Sequence, residues 1–214
     1  MPAKAQPLVL FGGTFDPVHR GHIAVAESLS RTLYGADVLL LPNAVPPHRP
    51  QPVADGAQRM AMLQLACADY PCLTPCDWEL QQPGPSYTLN TLRHFRQQCG
   101  PDTPIFWVMG ADSFSQLHRW HAWQDYPALC HLAVAPRPGS ATPTAEVAAC
   151  FQTGSAAALC QRPSGGRLTL DSPVLDISSS AIRQTLSECG QSDHLQSSVM
   201  AHIQQQGLYT MSVR

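Results

Sequence analysis

"GGTFDPVHRGH", Gly12 to His22, is the stretch on which the reading of the whole chain turns. It follows an apolar run, Leu8 to Phe11, and leads into Ile23, Ala26, Leu29 and Leu33, spaced +3, +3 and +4. Four apolar residues ended by glycine predict a buried parallel strand, and the spacing after it predicts one apolar face of a helix. Between them, Asp16-Pro17 reads as a capping residue followed by the residue favoured at a first helical position. A second apolar run, Val38 to Leu41, completes a strand-helix-strand unit of about 30 residues. Such a unit implies a parallel sheet with a right-handed crossover.

Working outward, "NAVPPHRPQPV" carries four prolines and is expected to be a semi-rigid loop. Residues 57–68 are expected to be helical with Met60, Leu63 and Cys67 on one face, and another helix is expected from about Thr88 in "SYTLNTLRHF". "PIFWVMGADSF" reads as a third buried strand ending at Gly110, and "HLAVAPRPG" as a fourth running into a Pro/Gly loop. Residues 139–166 are rich in Ala, Ser, Thr, Gly and Pro and read as a loop or partly helical insertion carrying no chemistry. After it come a short strand, a helix that starts in serines, and a last helix marked by Leu195, Val199 and Ile203. The alternation predicts an α/β fold, a doubly wound, Rossmann-like parallel sheet with helices on both faces, formed by one domain over 1–214. Ligands of such a sheet sit at the carboxyl ends of its strands.

The composition bounds the partners. With 214 residues, 44% hydrophobic and 13% charged, the chain can bury a sizeable core. A net charge of −2 gives no field to attract a polyanion, so a nucleic acid is not expected, whereas a small anion held by a few local groups is. The N-terminal apolar run is too short for a secretory signal, and no stretch approaches ~18 unbroken apolar residues. A cytoplasmic protein without membrane contact is expected. The eight cysteines are scattered with no C-x-x-C pair; buried or surface thiols fit them better than a metal site, although Cys67, Cys72 and Cys76 leave zinc as a rival.

A glycine pair after a first buried strand lets backbone approach a ligand, and the helix start beyond it aims free N–H groups and positive dipole at the same place. That pattern predicts a phosphate site. It has neither the G-x-G-x-x-G of dinucleotide folds nor the G-K-[ST] of P-loops. His19 and His22, three apart, can point the same way and donate to oxygens that gain charge in a transition state. The rivals are a cap plus a packed imidazole, or two ligands of a metal with no third ligand near. In "ISSSAIR", Ile177 to Arg183, the serines read either as helix caps or, with Arg183, as anion-binding donors. A cation in a first helical turn opposes the dipole and calls for an anionic partner.

With those residues in view, the chain closely resembles the HxGH nucleotidyltransferase superfamily, whose second signature is ISSTxIR. Within it the sequence is similar to the bacterial nicotinate-nucleotide adenylyltransferases, through "PNAVPPHR", "SYTLNTL", "GADSFSQLHRW", "HLAVAPRPG" and "QQQGLY". The likeness covers nearly the whole chain and is weakest across 139–166. Three departures stand out: Ser180 for a usual threonine, Arg49 for a usual lysine after "PPH", and Asn90 for a frequent aspartate. None removes a phosphate-binding group.

The resemblance implies that the 5′-phosphate of nicotinate mononucleotide attacks the α-phosphorus of ATP, releasing pyrophosphate and forming deamido-NAD in NAD biosynthesis. The incoming phosphate is already ionised, so catalysis is expected to be positioning and charge stabilisation. By similarity, Gly12, Gly13, Thr14, Phe15 and Ile177 line the ATP. His19 and His22 would donate to its phosphates, and Ser179 and Arg183 would hold the departing pyrophosphate. Asp112 is implied at the ATP ribose, with a helix cap as its alternative. For nicotinate mononucleotide, Trp120 is implied as the stacking platform and Thr88 at the carboxylate, with a core role as the alternative for Trp120. Arg137 and Arg49 are candidates for the mononucleotide phosphate, Arg49 equally a solvated charge. Mg²⁺ is expected with ATP, held by phosphate oxygens and water rather than by a protein cage. Competing readings are the same chemistry on nicotinamide mononucleotide or another phosphate acceptor, a non-catalytic nucleotide sensor, and a zinc-binding interaction protein.

Overall fold

The computed structural model describes residues 6–45, 51–136, 139–170 and 177–210. The first unit forms as its pattern predicts. Strand β1 spans Leu8–Gly13, helix α1 Arg20–Thr32 and strand β2 Asp37–Pro42, with β1 and β2 parallel. Ile23, Ala26 and Leu29 are the buried apolar face of α1, and Leu33, just beyond it, is buried with them.

Asp16-Pro17 does not start the helix. The helix begins at Arg20 with His19 as its N-cap, because the Asp16 carboxylate is committed elsewhere. Helix α2 covers Gly56–Cys67, but its buried face is Arg59, Met62, Leu63, Ala66 and Cys67 rather than one through Met60. That rotation turns the Arg59 guanidinium inward, where it donates to the Ala54 and Thr14 carbonyls at 3.2 and 2.9 Å.

A short strand β3, Leu73–Pro75, follows, then helix α3 at Thr88–Cys99 and strand β4 at Ile105–Gly110. Helix α4, Ala111–Ser115, and helix α5, Tyr126–Leu129, precede strand β5, His131–Ala135. Residues 139–166 are partly helical, the second of the two readings, and add a strand that neither reading includes. They contain helix α6, Ala145–Cys150, edge strand β6, Gln152–Thr153, and helix α7, Ala156–Leu159. Strand β7, Gly166–Thr169, then pairs with both β5 and β6. Helices α8, Ser179–Cys189, and α9, Ser197–Gln205, close the described chain.

Among the described residues the sheet has seven strands in the order β3-β2-β1-β4-β5-β7-β6, every pairing parallel. Alternate side chains feed two cores, as a sheet covered on both faces requires. Val9, Val38, Phe106 and Ala133 join the side chains of α1, α2, α8 and α9 on one face. Leu10, Leu41, Trp107 and Leu132 join those of α3 to α6 on the other. No helix of the described residues is long and apolar enough to cross a membrane.

The chain winds outward from β1 to β3, then returns to β4 beside β1 and winds the other way. This reversal is the topological switch point, where a doubly wound sheet opens a crevice beyond its carboxyl ends. β1 and β4 pair only from Leu8 with Ile105 to Leu10 with Trp107. Beyond that, β1 stays with β2 as far as Gly13 and β4 stays with β5 as far as Gly110, so the two strands part.

Candidate active site

A cleft of about 1010 Å³ opens where β1 and β4 separate. It lies at the upper end of the range usual for small-molecule sites, ~300–1,000 Å³. One wall is the stretch from β1 into α1. Gly12, Gly13, Thr14, Phe15, His19 and His22 all line it. Glycine is needed at Gly12 for a reason the sequence does not show: a Cβ there would lie 2.4 Å from the tip of the Trp107 indole, which also lines the cleft. At Gly21 a Cβ would meet the His19 ring at 3.1 Å. The glycine between the two histidines thus lets the first ring fold back over the helix start.

The imidazoles of His19 and His22 stack with centroids 3.7 Å apart, and Phe15 packs edge-on to His22 at 4.9 Å. Burial pushes both imidazoles down, His19 to about 4 with His194 adding to it, and His22 well below 6.5 with His19 adding to it. Both are therefore neutral at pH 7. The His19 backbone N–H donates to His22 Nδ1 at 3.3 Å, which puts the His22 proton on Nε2 as an uncharged donor. His19 Nδ1 is buried without a partner among the described residues.

The facing wall is the start of α8. Ser178 is its N-cap, accepting from the Ala181 N–H at 3.2 Å, so the capping reading holds for that serine. Ser179 instead reaches the Pro17 carbonyl at 3.1 Å, and Ser180 lies 3.5 Å from the Arg183 guanidinium. Ile177, Ser179 and Arg183 all line the cleft. Arg183 does find an anionic partner within the protein. Its Nη1 donates to the Asp16 carbonyl at 2.6 Å and stands 3.6 Å from the Asp16 carboxylate.

Asp16 is the residue that sequence reading missed. Buried at 2% exposure, it accepts the Val53 N–H at 2.8 Å, the Ala54 N–H at 3.1 Å and the Tyr209 hydroxyl at 2.6 Å, besides facing Arg183. Its charge also offsets the burial that pulls the Arg59 guanidinium down. One carboxylate therefore ties the loop after β1 to the loop before α2, to α8 and to the C-terminal segment. Only the buried setting of "FDP" between two structured elements hints at this, and a capping residue reads the same way.

The far end of the cleft is lined by Thr88 at the first position of α3, by Trp120 and by Tyr126. Trp120 is half-buried, edge-on to Tyr126 at 6.5 Å, and the Thr88 side chain lies beside the Tyr126 phenol. Glu79 and Ser86, which the sequence did not single out, line the same end. Asp112, in the first turn of α4, lines the cleft between the two ends and accepts the Ser140 hydroxyl at 2.7 Å. Ser140 belongs to the stretch read as free of chemistry. Asn90 is exposed, so that departure from the family pattern points away from the cleft. Arg49 and Arg137 lie outside the described residues. The structure thus gathers the other predicted site residues into one cleft.

A crevice at a sheet's switch point, walled by glycine backbone, neutral imidazole donors, serines and an arginine, is built to take phosphates, which places the fold and site among the nucleotidyltransferase type of α/β protein. The Cytidylyltransferase-like family model matches residues 10–185. Over 98% of this chain and 99% of its own length, a Yersinia pestis protein named probable nicotinate-nucleotide adenylyltransferase is 40% identical. A Marinobacter nauticus protein of the same name is 43% identical over 83% of this chain and 84% of its own. Among solved structures, Plasmodium falciparum nicotinic acid mononucleotide adenylyltransferase complexed with NaAD superposes with a TM-score of 0.75, at 14% identity over 98% of this chain and 100% of that one. The chain belongs to the Cytidylyltransferase-like family and, within it, to the nicotinate-nucleotide adenylyltransferases.

Proposed function

We propose that this protein transfers the adenylyl group of ATP to nicotinate mononucleotide, giving deamido-NAD and pyrophosphate in NAD biosynthesis. Family membership across the full chain carries this reading. The shape of the cleft supports it, with phosphate donors at one end and an aromatic residue beside a helix start at the other.

Roles follow from the chemistry of each group. The mononucleotide phosphate attacks the α-phosphorus, the bond to the bridging oxygen breaks, and pyrophosphate leaves. Gly12, Gly13, Thr14, Phe15 and Ile177 border the ATP. His22 Nε2–H, uncharged in the free protein, donates to phosphate oxygens whose charge grows in the transition state. His19 shares that task. Ser179 and Arg183, anchored to the Pro17 and Asp16 carbonyls, face the leaving pyrophosphate. Asp112 is assigned to the ATP ribose. Trp120 supplies a platform for the pyridine ring, and the start of α3 at Thr88 supplies N–H groups and positive dipole for the nicotinate carboxylate. Arg49 and Arg137 are assigned to the mononucleotide phosphate.

Nucleotidyltransferases of this family generally use a divalent metal with ATP. The cleft's donor set, imidazole, hydroxyl and guanidinium, suits phosphate oxygens rather than a hard cation, which fits a metal held chiefly by the triphosphate and water. The proposal takes Mg²⁺ as that metal, neutralising triphosphate charge, and the cytoplasm as the compartment.

The test is pyrophosphate release with ATP, Mg²⁺ and either nicotinate or nicotinamide mononucleotide. Strong turnover with the acid and weak turnover with the amide is expected. Preference for the amide would keep the chemistry and overturn the acceptor.

A further inference from the structure

Glu79 is a buried acid at the acceptor end that the proposed reaction does not use. It sits in the 3-10 turn Trp78–Gln81, 5% exposed, and lines the cleft with Ser86, Thr88 and Tyr126. Thr91, 1% exposed and four positions into α3, donates its hydroxyl to Glu79 Oε1 at 2.6 Å. The Ser86 hydroxyl is close enough to the carboxylate to act on it electrostatically. Burial pushes the Glu79 carboxyl up and these two hydroxyls pull it back. Ser86 meanwhile accepts the Ala44 N–H at 2.8 Å and donates its own N–H to the Val45 carbonyl at 3.0 Å.

The start of α3 needs such a tether. Its N-cap residue, Tyr87, makes no side-chain capping bond, so local chemistry does not fix where the helix begins. Glu79 receives the Thr91 hydroxyl from just inside that start and lies beside Ser86 just before it, and Ser86 carries the connection on to the loop after β2. The carboxylate also lies near a positive helix end, where its charge is favoured. We propose that Glu79 is a positioning residue for the acceptor, clamping the start of α3 so that Thr88 and Tyr126 face the nicotinate mononucleotide. This rests on the adenylyltransferase reading and adds a residue to its acceptor site. Glu79 does not touch the reacting atoms.

The test is steady-state pyrophosphate release by the full chain with each substrate varied in turn, for Glu79→Gln, Thr91→Val and Thr91→Ser. Glu79→Gln and Thr91→Val are expected to raise KM for nicotinate mononucleotide about tenfold, with KM for ATP within about twofold of wild type. Thr91→Ser keeps the hydroxyl and is expected to keep the wild-type KM. An unchanged acceptor KM in the folded variants, a KM for ATP that rises in step, or a Thr91→Ser as impaired as Thr91→Val would each overturn the proposal. Should Glu79→Gln fail to fold, the two Thr91 variants carry the same test. No turnover of nicotinate mononucleotide by the wild type would strike the adenylyltransferase reading and this inference together, whereas wild-type turnover with an unchanged acceptor KM in the variants strikes the inference alone.

Discussion

At the β1 end of the cleft, the ligand-facing groups come from two contiguous stretches, Gly12 to His22 and Ile177 to Arg183. At the proposed acceptor end the lining groups come from four separated places: the turn at Glu79, the start of α3, the turn at Trp120, and Tyr126. The ends differ in charge as well. The first pairs neutral imidazoles with a guanidinium held by the Asp16 hub, and the second buries a carboxylate among hydroxyls. Phosphates of any nucleotide need the same kind of donors, which helix starts and short loops supply locally. A particular acceptor must be met by shape, and shape is assembled from distant parts of the chain.

The comparison can be broken where it is strongest, at Asp16. Asp16→Ala leaves the Arg183 guanidinium without its carboxylate, removes the main negative charge acting on the buried Arg59 and frees the Tyr209 hydroxyl, and it is expected to cost about 3–5 kcal/mol in denaturant unfolding. A loss below about 1 kcal/mol would show that the hub does not hold the β1 end together. Next in size, His22→Ala is expected to lower kcat about 10²-fold or more while KM for nicotinate mononucleotide stays close to wild type. An effect on the acceptor KM alone would erase the distinction between the ends.

Acid sharpens the contrast further. The free imidazole value is 6.5, and burial holds His19, His22 and His131 below it in the folded chain. Their contribution to stability is complete above about pH 6.5 and is lost as pH falls through the folded values, by about 1.4 kcal/mol per pH unit for each such histidine. Melting temperature should therefore be level from pH 7 to 8 and decline from pH 6.5 towards 4, and a level profile down to pH 4.5 would contradict the neutral assignment. The smallest effect is expected from Trp120→Ala, a rise of about fivefold in acceptor KM with little change for ATP.

How much of this was legible in the sequence follows the same division. The parallel strands and the apolar face of α1 are readable, since each rests on spacing within one short stretch, whereas Arg183 joins Gly12, His19 and His22 only through the family resemblance. Asp16 reads as a cap in the sequence because its true partners, Val53, Ala54, Arg183 and Tyr209, lie 37 to 193 positions away. Gly12 reads as clearance for a ligand, yet the Trp107 ring from β4 occupies that space, a contact set by sheet order. Glu79 carried no signal, because an isolated acid before a helix is ordinary until Ser86 and Thr91 fold over it. The edge strand in 139–166 has two residues, too few to show any alternation.

One cleft is expected to hold the two halves of the product at its two unlike ends. A crystal structure of the protein with deamido-NAD tests this most directly. The phosphate bridge is expected between His22 and the start of α8, with the pyridine ring against Trp120 and its carboxylate at the start of α3. A pyridine ring lying at the β1 end, or a dinucleotide bound without contact to His22, would contradict it.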